Sequence, residues 1–304
     1  MTLAVYTTIY RGVEPYLADW YRSLVDQTDQ DFQLWIGLDA LECEAVQKLL
    51  GPGLKATWIV ARHGATPAQI RQEALAQIVK ACSGVVLVDS DDVLFPSRVA
   101  SARADLKSCD LAGCALCLVD QRGNDLGLTF GLPPQLGLDG VLPRNNIFGF
   151  SNSAFRSDVL RKCLPIPAGA VLVDWFLATR AWLLGATLAF DMVPRMGYRQ
   201  HPANTARVRF PFSRDQVISD TALVRHHFTL LLAEPVTGAA VDRIALLMRV
   251  ADDVEAFHRF VVLSPTRLEH YVDALNALQP APLWWSCVAY PALGHMWSGK
   301  RNPI

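Results

Sequence analysis

The stretch Gly84-Val85-Val86-Leu87-Val88, followed at once by Asp89-Ser90-Asp91-Asp92, decides the fold. A run of small and β-branched apolar residues reads as a strand covered on both faces, the kind found inside parallel sheets. In open α/β sheets, ligands collect beyond the carboxyl ends of such strands, and the three aspartates fall there. Carboxylates this close repel one another unless a divalent ion or an Arg/Lys group offsets their charge, and hard oxygen ligands suit Mg²⁺ or Mn²⁺. A metal that also grips a diphosphate is the reading favoured. The alternative, in which Asp91 or Asp92 caps a following helix with Pro96 near its first turn, accounts for one acid and leaves two unexplained.

Working outward, strands and helices alternate. Leu3 to Ile9 reads as a strand. Glu14 to Val25 reads as a helix, with Leu17, Trp20, Tyr21 and Leu24 at helical spacing. Phe32 to Leu38, closed by Asp39, and Ala56 to Val60 read as further strands. Thr66-Pro67-Ala68-Gln69 carries a capping-box pattern with Pro at the first helical position, and Ile70, Ala74 and Ile78 stripe the helix behind it. This alternation predicts βαβ units and a largely parallel sheet with helices on both faces. Beyond residue 110 an apolar strand at 111–119 is followed by a turn at Gln121-Arg122-Gly123-Asn124 and a Gly/Pro-rich loop over 127–149. Short helices are expected at Ser157–Lys162 and Asp174–Leu184, with a strand at Thr187–Phe190 between the second helix and a helical end. From about 214 the pattern is helical, with candidates at 215–233, 239–260 and 265–278. The expected organisation is therefore an α/β domain over 1–213 and a helical extension over 214–304.

Composition narrows the function. Of 304 residues, 51% are hydrophobic and 19% charged, with formal net charge −1, which fits a globular protein and argues against a nucleic-acid partner. Seven scattered cysteines fit reduced thiols, and the opening residues read as a strand and not as a signal peptide, so the expected location is the cytoplasm. Cys109, Cys114 and Cys117 have an iron–sulfur-like spacing but lie in or beside an apolar strand, where cysteine acts as a small hydrophobe. The segment Leu283-Trp284-Trp285-Ser286-Cys287-Val288-Ala289-Tyr290, with Trp297, Lys300 and Arg301 beyond it, is too short and too broken by Pro291 to span a bilayer. Its expected role is packing against its own helices or a second subunit; contact with the inner face of a membrane is the sharper alternative.

Several of these residues resemble the glycosyltransferases of family 2, which have the GT-A fold. The likeness covers most of 1–210. Thr7-Thr8-Ile9-Tyr10-Arg11 stands where that family has a Pro-x-Tyr-Asn pattern, and Ser23-Leu24 with Gln27-Thr28 match the end of its first helix. Arg71-Gln72 stands for Arg-Asn, and Asp89-Ser90-Asp91-Asp92 matches the DxD motif. Asp174-Trp175 stands near the Glu-Asp motif of the catalytic base, and Tyr198-Arg199-Gln200-His201 followed by Asn204 is similar to a late segment of bacterial members. Thr8, Arg11 and Val173 depart from the pattern, and the last of these leaves proton abstraction to Asp174 alone.

The resemblance implies a nucleotide-diphosphate sugar donor, most simply a UDP-sugar, a glycan or small hydroxyl acceptor, and a divalent metal. Asp91 would ligate the metal and Asp89 the ribose or the ion's water shell. His201 is either a third ligand, favouring Mn²⁺, or a hydrogen-bonded pocket residue. Thr8, Tyr10 and Asp39 are expected at the nucleotide, with Asp39 accepting a pyrimidine imide N–H or else serving as a turn or cap residue. Arg71 would fork to the diphosphate, pair with Asp39 or Asp89, or both. Asp174 is either the base that deprotonates the acceptor, giving inversion, or an N-cap. Phe150, Asn152 and Trp175, with the 127–149 loop, are expected to shape the acceptor pocket. A sugar nucleotidyltransferase and a non-catalytic nucleotide-sugar-binding scaffold are the alternative readings. The first lacks a Gly-rich opening loop, and a dinucleotide-binding G-x-G-x-x-G is likewise missing after the first strand.

Overall fold

The computed structural model describes the whole chain except residues 52, 202, 203, 206–210, 282 and 299–304; Lys300 and Arg301 therefore lie outside the described residues. The chain forms two compact units, Met1–Leu132 with Phe148–Ala203, and Pro133–Ile147 with Asn204–Ile304.

The first unit opens with β1 (Leu3–Tyr10), α1 (Glu14–Val25), β2 (Phe32–Asp39), α2 (Cys43–Leu50), β3 (Thr57–Val60), α3 (Pro67–Ala81) and β4 (Gly84–Leu87). β1 pairs in parallel with both β2 and β4, and β2 with β3, so the buried runs of β1 and β4 lie side by side in the middle of the sheet. Leu3 to Ile9 are enclosed on both faces, as their apolar run requires. Helix α3 starts as its sequence predicts: the Thr66 hydroxyl accepts from the Gln69 N–H, and the Gln69 side chain accepts from the Thr66 N–H at 2.8 Å. Ile70, Ala74 and Ile78 are its buried stripe.

After the acids come β5 (Val93–Leu94), α4 (Arg98–Asp105), β6 (Leu111–Val119) and β7 (Asp125–Phe130). The four-residue α5 (Leu138–Val141) belongs to the second unit. β8 (Ser153–Arg156), α6 (Ser157–Cys163), α7 (Val173–Leu183) and β9 (Leu188–Arg199) complete the first unit. The strand order is β3-β2-β1-β4-β8-β6-β9-β5, with β7 pairing on β6. Six strands run one way, because β6 and β9 are parallel to each other and β8 is antiparallel to both β4 and β6.

Three local expectations change. The residues read as a loop from 127 begin inside β7, which folds back on β6 through a turn where Asp120 accepts from the N–H groups of Arg122 and Asn124 and Gly123 takes φ +84°. The strand expected at 187–190 extends to Arg199. The strand β8 and helix α2 went unread, since four and eight residues leave little periodic signal.

In the second unit α8 (Arg214–Ala233), α9 (Val241–Phe257) and α10 (Pro265–Leu278) follow the predicted helices, with one wide turn at His258–Val262 closing α9. The aromatic tail packs inward. Trp284, Trp285 and Trp297 are buried, and Trp297 sits edge-on to Phe257 at 5.1 Å while its indole N–H donates to Asp253 at 2.6 Å. Among the described residues no helix is long and apolar enough to cross a membrane.

Helix α8 buries His227, and this burial pushes its imidazole from the ordinary 6.5 down to about 3. An unfolded histidine takes up its proton near pH 6.5, so between pH 6.5 and 3 unfolding consumes a proton and stability falls as the pH falls, by about 1.4 kcal/mol per pH unit for one group. The expected outcome is that melting curves of His227→Gln show a shallower loss of Tm between pH 6.5 and 4 than the wild-type chain; an identical slope would show that His227 does not titrate as its burial requires.

Candidate functional site

The carboxyl ends of β1, β2 and β4 meet at one edge. Tyr10 stands opposite Asp39 in the ladder, and Val88 continues β4 by donating to the Tyr6 carbonyl at 3.0 Å. The chain then turns sharply, with the Asp92 N–H donating to the Asp89 carbonyl, and the Ser90 hydroxyl donates to the Thr8 carbonyl at 2.7 Å. Below the turn, residues 93–99 are fastened to α1: the Leu94 N–H donates to the Ser23 hydroxyl at 3.1 Å, the Gln27 amide donates to the Phe95 carbonyl, and its oxygen accepts from the Val99 N–H. This accounts for Ser23 and Gln27 at the end of that helix.

Each acid has its own partners. Asp89 pairs with Arg71 at 3.0 Å, and the Arg71 guanidinium lies 4.1 Å over the Phe150 ring. Asp91 Oδ2 accepts from the Tyr10 hydroxyl at 3.2 Å and lies 2.8 Å from His201 Nε2. Asp92 accepts from the Arg199 backbone N–H at 2.7 Å and from the Ser151 hydroxyl, whose oxygen in turn accepts from the Asp89 N–H at 3.0 Å. The Arg199 side chain is fully enclosed and reaches the Asp91 carbonyl at 2.7 Å, the Gln121 carbonyl at 2.8 Å and Asp19 at 3.2 Å. Neither helix-cap reading holds for the turn: α4 begins only at Arg98, and α2 is preceded by Glu42 and not by Asp39.

The charge is concentrated and short of cations. Although 31% of its side-chain surface stays open, burial pushes the Asp89 carboxyl up to about 7, with Arg71 opposing and the charges of Asp91 and Asp174 adding to the rise. Asp92 is raised as well, by burial first and then by Asp91 and Asp89. Burial and the carboxylates of Asp91 and Asp89 drive the Tyr10 phenol upward, so it stays a neutral donor. Tyr6, raised to about 12 mainly by burial, shares a 3.0 Å hydrogen bond with Thr8. Asp174 lies in the first turn of α7, two residues past the position before the helix, and its charge is felt at Asp89.

No protein-family model matches the sequence, and no curated protein matches it. Solved structures do share its architecture. TarS residues 1–349 from S. aureus, in complex with UDP-GlcNAc, align with TM-score 0.56 and 17% identity over 85% of this chain and 72% of that one. The mannosyltransferase PcManGT from Pyrobaculum calidifontis, in complex with GDP-Man and Mn²⁺, aligns with TM-score 0.54 and 17% identity over 91% and 74%. The chain has a glycosyltransferase fold.

Within that fold the structure gathers Tyr10, Arg71, Asp89, Asp91, Asp92 and His201 through direct contacts, and joins Asp174 to them through its charge. Asp39 stands beside Tyr10 on the neighbouring strand. The residues expected at an acceptor are enclosed: Phe150 packs under Arg71 and against Tyr6, the Asn152 amide donates to the Cys114 carbonyl at 2.7 Å, and Trp175 is 0% exposed. Sequence reading passed over Tyr16 and the bracing role of Asp92; it met Ser151 only within the stretch Phe148-Gly149-Phe150-Ser151-Asn152, read as shaping an acceptor pocket, and Arg199 only within the Tyr198-Arg199-Gln200-His201 segment.

Because folded Asp89 holds its proton up to about pH 7 while an unfolded aspartate releases it near 3.8, stability is lost as the pH rises through that window. The Asp89→Asn variant is expected to have a Tm that falls less between pH 5 and 8 than that of the wild type. A steeper fall would mean that the Arg71 pair outweighs burial.

Proposed function

We propose that the chain is an inverting, metal-dependent glycosyltransferase of family 2, moving a sugar from a nucleotide-diphosphate donor, by preference a UDP-sugar, to a hydroxyl acceptor in glycan biosynthesis. We assign the chemistry to 1–213 and treat 214–304 as an accompanying helical extension. The seven unpaired cysteines favour the cytoplasm. The observation that carries the reading is the excess of carboxylate at the end of β4, where Asp89 and Asp92 are pushed toward their protonated forms in spite of Arg71.

Among the described residues no three His, Cys, Asp or Glu side chains form a ready metal cage. The donor set nonetheless fits one of the ions that a diphosphate brings, since Mg²⁺ and Mn²⁺ need only one or two protein ligands beside phosphate and water. Asp91 and His201, 2.8 Å apart, would hold it. When bound, the ion offsets the charge that builds on the diphosphate as it leaves. The chain's own groups do the rest. Arg71, whose Nε is buried without a hydrogen-bond partner, offers a donor to a phosphate oxygen. Tyr10 and Arg199 hold the carboxyl and the backbone of Asp91. Thr8 and Asp39 lie at strand ends where the uracil ring would sit. Asp174, near enough for its charge to reach Asp89, takes the acceptor proton. Attack from the face opposite the diphosphate inverts the anomeric centre.

Two measurements test this. Thermal shift with UDP, GDP, CMP or dTDP, each with and without MnCl₂, is expected to show the largest rise for UDP and Mn²⁺ together. No rise for any nucleotide would refute donor binding. The Asp174→Asn variant is expected to keep that rise and to lose about 10²–10⁴-fold in turnover of a UDP-sugar. Undiminished turnover in Asp174→Asn would remove Asp174 from the role of base.

A further inference from the structure

The imidazole of His201 lies against a second ring. Tyr16 of α1 stacks on it, with centroids 5.5 Å apart and planes inclined by 19°, while His201 Nε2 faces Asp91 Oδ2 at 2.8 Å. The Tyr16 ring is itself backed by Arg199, whose guanidinium carbon lies 4.8 Å from its centroid. That guanidinium cannot drift, because it is fully enclosed and held by the Asp91 carbonyl, the Gln121 carbonyl and Asp19, the last also on α1. Arginine, tyrosine and histidine therefore form a stack that starts in the core and ends at the acid turn.

We propose that Tyr16 is a positioning residue: its ring is the platform that fixes the His201 imidazole with Nε2 turned toward Asp91, so that both can engage one divalent cation. The inference rests on the reading above, in which Asp91 and His201 hold the metal. Its physical basis is general. A histidine ligand is effective when its plane is set before the ion arrives, and groups that orient a ligand without touching the metal typically alter affinity by ~10–100-fold when removed. Helix α1 is well suited to supply the platform. It is anchored by the buried Leu17, Trp20 and Leu24, and its end is tied to the segment that follows the acids. Tyr16 thus moves with the turn it serves.

The test uses the full chain and compares the wild type with Tyr16→Phe, which keeps the ring and drops only the hydroxyl, and Tyr16→Leu, which removes the stack. MnCl₂ is titrated by thermal shift at fixed excess UDP, and the His201 imidazole signal is followed by NMR. The expected result is a wild-type midpoint for Tyr16→Phe, a midpoint raised ~10-fold or more for Tyr16→Leu, and a displaced His201 signal in the leucine variant alone. General loosening of α1 would lower the Tm of Tyr16→Leu without moving the metal midpoint, and that result overturns the proposal. Should the wild type not respond to Mn²⁺ at all, the metal reading fails and the proposal falls with it; a wild-type response whose midpoint Tyr16→Leu leaves unmoved overturns the platform alone.

Discussion

Asp92 accepts two hydrogen bonds that close the site: one from the backbone N–H of Arg199 at the end of β9, the other from the hydroxyl of Ser151 just before β8. The acid turn after β4 is thereby tied to two segments roughly 60 and 107 residues further along the chain. Burial and the charges of Asp91 and Asp89 raise the Asp92 carboxyl well above the ordinary carboxylate range, and these two hydrogen bonds oppose that rise without cancelling it. That join, with the pairing of Arg199 opposite Val119, holds the end of β9 at the turn, two residues before His201.

The join also explains why so many carboxylates coexist. Asp89, Asp91 and Asp92 sit within four residues, and Asp174 adds its charge from another helix. Such a group is unfavourable in isolation. Its neighbours relieve it unequally: Asp92 is spent on structure, Asp89 is half-answered by Arg71, and Asp91 is presented to a neutral phenol and an imidazole. Among the described residues, Asp91 is thus the acid whose carboxyl faces only uncharged or titratable partners, Tyr10 and His201. Functional sites commonly keep such unfavourable arrangements at the expense of stability.

How much of this was legible follows from distance along the chain. The β4 run and its acids, the capping box at Thr66 and Gln69, and the stripes of α1 and α3 are local patterns, and all appear where the residues place them. Arg71 at Asp89 was one of two partners that the sequence allowed. What stayed hidden is nonlocal. β8 is four residues with a serine at its head, and only its place between β4 and β6 makes it a strand. Tyr16 reads as an ordinary half-exposed position of an amphipathic helix until β9 brings His201 against it. Whether Phe150 and Asn152 face a ligand or the core is set by packing that no short window records, and both side chains are buried.

The antiparallel strand β8 is what makes the long-range closure possible. A wholly parallel extension beyond β4 would need a crossover before each new strand. β8 instead lies directly against β4, with β6 on its other side running in the direction of β4, and β9 parallel to β6. The carboxyl end of β9 therefore returns to the same edge of the sheet as the carboxyl ends of β1, β2 and β4. That places Arg199 beside the acid turn as a consequence of strand order. The 12-residue length of β9 matters for the same reason, because a strand ending near Phe190 would stop level with Gly113, well short of the register in which Arg199 stands opposite Val119. Strand direction and strand length, more than any motif, bring the His201 imidazole within 2.8 Å of the Asp91 carboxyl.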